Sequence, residues 1–301
     1  MTADDAYRRP ADTMRAISAA ARRAAPALGV SVSDLRTYLV FDRFLGRVFA
    51  RADPAFMLKG GTRMLAFIPA GRATVDIDLE SGRMGLEAAV AHLAELVAVD
   101  IGDRLSFRLM RRVDGDRGDQ PALAVTSLRF ELDEVPGLAI KVDLAVHERI
   151  GVSVIRAAPR FRVPLGKPVP VVDYAMISVE QQIADKAAAM MERNHAGGDG
   201  RSSRAKDLVD LALIAMHLPC DGLLLREATE QQIRERRLEP FLAVDASPEI
   251  QRGFARVARG LSGFGLGWRE AEELVNMMLA PALRGEAQGT WVPDDRAWRS
   301  L

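Results

Sequence analysis

Two glycines between Lys59 and Thr62, followed by Arg72, Thr74 and the carboxylate pair Asp76-x-Asp78, are the residues of this chain whose types and spacing could do chemistry together. Gly60 and Gly61 permit a tight turn and a close approach of backbone N–H groups to a polyphosphate. The helix expected to follow would present its positive N-terminal end to the same anion. The run Val75-Asp-Ile-Asp-Leu79 alternates apolar and acidic residues, so it reads as a strand with Asp76 and Asp78 on one face. Two carboxylates side by side repel each other unless a cation sits between them, and hard divalent ions such as Mg²⁺ take oxygen ligands of this kind. The pair therefore asks for metal.

Holding two metals for an in-line phosphoryl displacement needs a third carboxylate on a neighbouring strand. Asp143 is the candidate, because it interrupts the apolar run Leu138 to Val146, where an unpaired charge would be costly. Lys141, two residues earlier on the same face, offers the plainer alternative of a strand ion pair without metal. A second polar cluster lies further on, in Val179-Glu-Gln-Gln-Ile-Ala-Asp-Lys186 and Arg204-Ala-Lys-Asp-Leu-Val-Asp210. On helices, Gln182 and Lys186 share a face, as do Asp207 and Asp210. Either Lys186 contacts nucleotide phosphates with an aspartate orienting it, or the group is a buried salt bridge between helices.

These groups need a framework. Residues 7 to 50 carry two helical patterns, the second opening at a Ser31–Asp34 capping box. From 55 to 155 the pattern predicts short strands around helices. The expected order is a strand at 56–58, a helix at 62–68, a strand at 75–79 and a helix at 85–98. Strands at 104–113, 122–132 and 138–146 then run as a meander. Prolines at 159, 164, 168 and 170 make the stretch to Asp173 extended or edge-like. A boundary is expected there, between a domain at 1–173 and a helical domain at 174–301. Helices are expected near 178–193, 203–218, 222–238, 248–261 and 268–284. The fold class is α+β, a mixed sheet with flanking helices followed by a helical C-terminal subdomain.

A chain of 301 residues, 49% apolar, can bury a full core. Its net charge is zero, so no whole-molecule field gathers nucleic acid, and any RNA contact must rest on local arginines. Candidates are Arg111-Arg112, Arg234 to Arg237, and Arg252, Arg256 and Arg259. Only five of the 41 basic residues are lysines, at 59, 141, 167, 186 and 206. Most of them fall beside the candidate chemistry, where a compact point charge on a phosphate differs from a guanidinium. The single Cys220 can form no internal disulfide, acids precede any apolar run at the N-terminus, and no run of 18 apolar residues occurs. A cytoplasmic protein without a membrane span is expected. The four histidines lack metal-ligand spacing, so no zinc is expected. Trp268, Trp291 and Trp298 read as clamps on the helical bundle.

The ordered set Lys-Gly-Gly-Thr, Arg-x-Thr-x-Asp-x-Asp, a strand-borne Asp, Gln-x-x-x-Asp-Lys and Arg-x-Lys-Asp-x-x-Asp-Leu resembles the AbiEii family of nucleotidyltransferase-like toxins, including its mycobacterial MenT branch. The resemblance spans about residues 55 to 215. It implies a polymerase-β-like nucleotidyltransferase fold joined to a helical C-terminal region, an NTP co-substrate, a tRNA 3′-end acceptor and a cognate antitoxin partner. By position it gives Lys59, Gly60, Gly61, Thr62, Arg72 and Thr74 to the nucleotide, and Asp76, Asp78 and Asp143 to Mg²⁺. Asp143 would also help deprotonate the attacking hydroxyl. Lys186 and Asp210, with Asp207 as the rival of Asp210, would serve nucleotide contacts from the helical side. Transfer to a small molecule or a protein side chain, and a non-catalytic NTP- or RNA-binding module, are the competing functions.

Overall fold

The computed structural model describes residues 6–51, 54–68, 74–82, 84–115, 123–147, 154–159, 162–192, 202–259, 261 and 263–300. The chain divides into two compact units, Met1–Pro69 with Ala73–Met176, and Ile177–Leu301 with Ala70–Arg72.

The first unit opens with helices α1 (Pro10–Leu28) and α2 (Val32–Val48). Gly29 ends α1 in the left-handed region at φ 66°, and the Ser31 side chain starts α2 by accepting the Asp34 N–H at 3.0 Å. Next come β1 (Met57–Lys59), α3 (Gly60–Phe67), β2 (Asp76–Ser81) and α4 (Leu86–Val97). They are followed by β3 (Phe107–Asp114), β4 (Leu123–Leu132), β5 (Ala139–His147), β6 (Val154–Ala157) and β7 (Tyr174–Ile177). The strands form one mixed seven-stranded sheet in the order β3-β4-β5-β2-β1-β7-β6. β2 lies parallel to β5 and β1 parallel to β7, while β1–β2, β3–β4 and β4–β5 are antiparallel.

Alternation gives this sheet two unlike faces. Ile77, Leu79, Leu128, Phe130, Ile140, Val142 and Leu144 are buried in one core with α1, α2 and α4, where Phe44 meets Phe107 and Phe130 edge-on. The opposite face carries Asp76, Asp78, Lys141 and Asp143. The buried ion pair between Arg47 of α2 and Asp103 pins the turn before β3 to the helical layer. Arg104 takes a positive φ there, which is why the strand expected from 104 begins at Phe107.

The sequence pattern did not announce β6 and β7. β7 is a four-residue run, buried throughout, that pairs with β1 through Leu58 and Met176. The proline-rich stretch before it delivers the chain into the sheet rather than ending there.

The second unit holds α5 (Val179–Met191), α6 (Ala205–His217), α7 (Gly222–Glu235), α8 (Pro248–Ala258) and α9 (Trp268–Leu283). It also contains a small sheet that helical periodicity could not reveal, β10-β9-β8, built from Cys220–Asp221 (β8), Thr290–Val292 (β9) and Ala297–Arg299 (β10). Trp291 is fully buried and donates its indole N–H to the Ala215 carbonyl at 2.9 Å, and Trp298 donates to the Met278 carbonyl at 3.2 Å. Those two are clamps on the bundle, whereas Trp268 is only half-buried. Among the described residues no helix is long and apolar enough to cross a membrane.

Candidate active site

The diglycine turn joins β1 directly to α3, with Lys59 as the residue before the helix. Gly60 sits at φ 65°, and a Cβ there would lie 1.9 Å from Asp78 Oδ2, so both its backbone angle and its closeness to β2 require glycine. The Gly61 N–H donates to Asp78 Oδ2 at 3.3 Å, and the Thr62 hydroxyl donates to the Asp76 carbonyl at 2.7 Å. The turn is thus stapled to β2 at both aspartates. Asp78 itself holds one of the helix N-terminal N–H groups that the sequence pattern assigned to phosphate. Thr74 is buried, and its hydroxyl lies 3.1 Å from Asp76 Oδ1 and 3.2 Å from the Asp76 carbonyl. Arg72 lies outside the described residues.

Register brings the third aspartate to the pair. Asp78 is the parallel partner of Asp143, and Asp76 that of Lys141. In-register neighbours project to the same side, so all three carboxylates share the open face. Lys141 Nζ stands between two of them, 2.7 Å from Asp143 Oδ2 and 3.7 Å from Asp76 Oδ2. Its pKa is raised, first by the hydrogen bond to Asp143 and then by the nearby aspartate charges, against an opposing effect of burial. Among the described residues no three acidic, histidine or cysteine side chains converge as a preformed metal cage. The ammonium instead marks where positive charge is stabilised, and an all-oxygen set of three carboxylates on one face suits Mg²⁺.

Glu80 escaped the sequence reading, although the alternation Asp76-x-Asp78-x-Glu80 extends to it. Glu80 is buried on the same face and pairs with Lys59 Nζ at 3.0 Å and His147 Nε2 at 3.5 Å. Burial alone would raise its pKa, but the Lys59 ammonium and His147 pull it down to about 2. Lys59 is thereby tied to the strand end beside the turn.

In the second unit, Lys186 of α5 is buried with its Nζ 2.7 Å from Asp210 Oδ2 and 3.0 Å from Asp207 Oδ1 of α6. Arg204 Nε adds a contact to Asp207 at 3.3 Å. Burial would lower the lysine pKa, but the charges of Asp210 and then Asp207 outweigh it and raise it. Both aspartates hold one lysine, so the choice between them dissolves into a three-membered cluster.

The arginine pair splits between the two faces of the sheet. Arg112 turns to the helical side, where its guanidinium meets both oxygens of Glu87 on α4 at 2.6 Å and Asp114 at 2.6 Å. That corrects the expectation that Arg111 and Arg112 could share one RNA-facing surface. Arg111 alone belongs to the open face.

Compared with known proteins, residues 43–273 match the family model described as nucleotidyl transferase AbiEii toxin, type IV toxin-antitoxin system. Among solved structures, the chain is similar to MenT4, a nucleotidyltransferase toxin from Mycobacterium tuberculosis H37Rv. Identity is 17%, with 90% of this chain and 98% of that one covered, at a TM-score of 0.50. JHP933 from Helicobacter pylori gives 13% identity, coverage of 85% and 94%, and a TM-score of 0.45. A putative nucleotidyltransferase from H. pylori gives 14% identity, coverage of 85% and 97%, and a TM-score of 0.42. The likeness to MenT4 bears on the fold. A comparison with curated proteins gives no match.

Proposed function

The chain belongs to the AbiEii nucleotidyltransferase toxin family of type IV toxin-antitoxin systems, and from that premise we infer that it moves a nucleoside monophosphate from an NTP to the 3′ end of tRNA in the cytoplasm, using Mg²⁺. A nucleotidyltransferase toxin implies an NTP substrate and a cognate antitoxin; the RNA acceptor, the metal and the residue roles are the proposal. The observation that carries it is the parallel pairing of Asp78 with Asp143, with Asp76 two residues upstream and the Gly60–Gly61 turn bonded to Asp78.

The chemistry is an in-line displacement. The ribose 3′-oxygen attacks the α-phosphorus, a new O–P bond forms, the bond to the bridging oxygen of the β-phosphate breaks, and pyrophosphate leaves with the electron pair. Asp143 accepts the hydroxyl proton. Asp76 and Asp78, with Asp143, would hold Mg²⁺, which when bound supplies Lewis-acid stabilisation of the entering and leaving oxygens. The Gly60–Gly61 turn would receive the triphosphate, its Gly61 N–H being shared with Asp78, while Thr62 holds the turn to the Asp76 carbonyl and Thr74 orients Asp76. Lys141 balances the carboxylate charge until substrate arrives. Most of the rate enhancement is positioning and charge neutralisation.

For Lys186, Asp207 and Asp210, one observation favours a scaffold role over nucleotide contact: the lysine is buried and bonded to both aspartates. It fixes α5 against α6.

Asp76→Ala or Asp78→Ala is expected to abolish transfer of radiolabelled nucleotide to total tRNA, with circular dichroism unchanged. Undiminished labelling by either variant would refute the carboxylate assignment.

A further inference from the structure

The open face of the sheet extends past the three aspartates over β4 and β3. A bulge between Leu109 and Arg111 decides what that extension carries. Before it, Phe107 and Leu109 pair with Leu132 and Phe130 on the buried side; after it, Arg112 pairs with Leu128 on that same side. The extra residue, Met110, shifts the alternation by one, so that Arg111 turns to the open face and pairs with Arg129. Bulges that re-aim a side chain beside an active site are a recurrent device.

Two rows result, each crossing the strands. In one, Arg111, Arg129 and Lys141 lie in register and end at Asp76. In the other, Val113 and Ser127 lie in register and end at Asp143 and Asp78. At the ~4.8 Å spacing of strands, the basic row runs about 10 Å outward from Lys141, and the two rows lie about 7 Å apart. Arg111 is exposed and has no ion pair among the described residues, and Arg129 is 55% exposed in a long ion pair with Glu131 at 3.6 Å. Met110 and Val113 are each 48% exposed. A shelf of exposed guanidinium groups and small apolar surface leads to the carboxylate that accepts the hydroxyl proton, and it is complementary to a sugar-phosphate strand carrying flat bases.

Resting on the function proposed above, we propose that this shelf is the acceptor track. A single-stranded RNA 3′ end lies across β3 and β4 with its last phosphates on Arg111, Arg129 and, at the end of the row, Lys141. Its bases pass over Met110 and Val113, and its terminal ribose stands between Ser127 and Asp143. Positions along the track are set by phosphate contacts rather than base edges, so the shelf recognises a strand end and not a sequence.

The test uses the full chain and purified tRNA. Arg111→Glu/Arg129→Glu is expected to raise the KM for tRNA at least tenfold while the KM for NTP stays within twofold. Arg111→Ala/Arg129→Ala should move it the same way by less. Arg22→Glu, on the exposed side of α1, serves as the control for an arginine reversal elsewhere and should leave both constants unchanged. Thermal melts establish that each variant is folded. Binding of 5′-fluorescein-labelled tRNA, followed by anisotropy, should weaken in parallel, with a log–log salt slope shallower by about 0.7 for each phosphate that is no longer neutralised. Unchanged tRNA KM and binding in the charge-reversed variant would overturn the track. A wild-type protein that labels no RNA would instead sink the proposed activity, and the anisotropy measurement would still decide the shelf.

Discussion

Gly60 does what no other residue can at its position, since it combines a φ of 65° with a strand carboxylate where a side chain would begin. Gly60→Ala should destabilise the first unit by about 1–2 kcal/mol from the left-handed backbone alone. Because the new methyl must also push Asp78 off the Gly61 N–H, nucleotidyl transfer should fall by far more than stability does. Urea denaturation alongside single-turnover transfer measures both, and a variant with full activity would show that the turn does not set the position of Asp78. This residue chemistry was visible in the chain, because diglycine before a helix and alternating aspartates are local signals. What local signals could not supply was the neighbour of each charge. Asp143 lies 65 residues beyond Asp78, and only register makes them adjacent. Glu80 carried no signal of its own, because its partner Lys59 sits opposite Asp78 in the β1–β2 register and reaches Glu80 only diagonally, at 3.0 Å.

At the scale of elements, legibility followed length and periodicity. The helices α4 through α9 and the meander β3 to β5 declared themselves through sustained patterns. β7 did not, because Tyr174 to Ile177 is a short apolar run after prolines, with no alternation to mark it as a strand buried on both sides. The bulge at Met110 was equally silent: unbroken alternation from Phe107 puts Arg111 on the buried side and Arg112 on the open face, and the extra residue exchanges them. The α5–α6 pair was half legible: facing polar residues were evident, but whether they grip each other or a ligand depends on burial. Lys186 gripping Asp207 and Asp210 has a measurable signature. Lys186→Met takes the ammonium away from two largely buried carboxylates and should cost about 3–5 kcal/mol, whereas Lys186→Met/Asp210→Leu should recover part of that deficit. The folded pKa of Lys186 lies above its ordinary value of 10.5. The pair's stabilisation is therefore fully present below pH 10.5 and is lost as pH rises through the higher folded value. Guanidinium melts at pH 8 and pH 11 should show a wild-type decrease at the alkaline end that the double variant lacks. Equal pH sensitivity in both would rule out the salt bridge as its source.

For the molecule as a whole, 41 basic and 41 acidic residues cancel, which limits how it can meet a polyanion. A strongly basic protein gathers RNA through a long-range field and releases many counterions; this chain must bind through whatever cations are locally uncompensated. Many of its arginines are already committed, among them Arg47 to Asp103, Arg112 to Glu87, Arg226 to Glu230 and Arg252 to Glu249. The shelf beside Asp143 offers Arg111, Arg129 and, once its aspartates engage the metal and the acceptor hydroxyl, Lys141. Three phosphate contacts to a single strand give a log–log salt slope of about −2. Affinity for tRNA should then fall roughly 25- to 30-fold over a fivefold rise in salt, a weak dependence beside that of proteins neutralising many phosphates. Titrating labelled tRNA into the protein at KCl concentrations from about 50 to about 250 mM gives the slope directly. A slope of about −6 or steeper would require at least twice as many phosphate contacts as the shelf can make, and would place the RNA on a broader surface than the one beside the three aspartates.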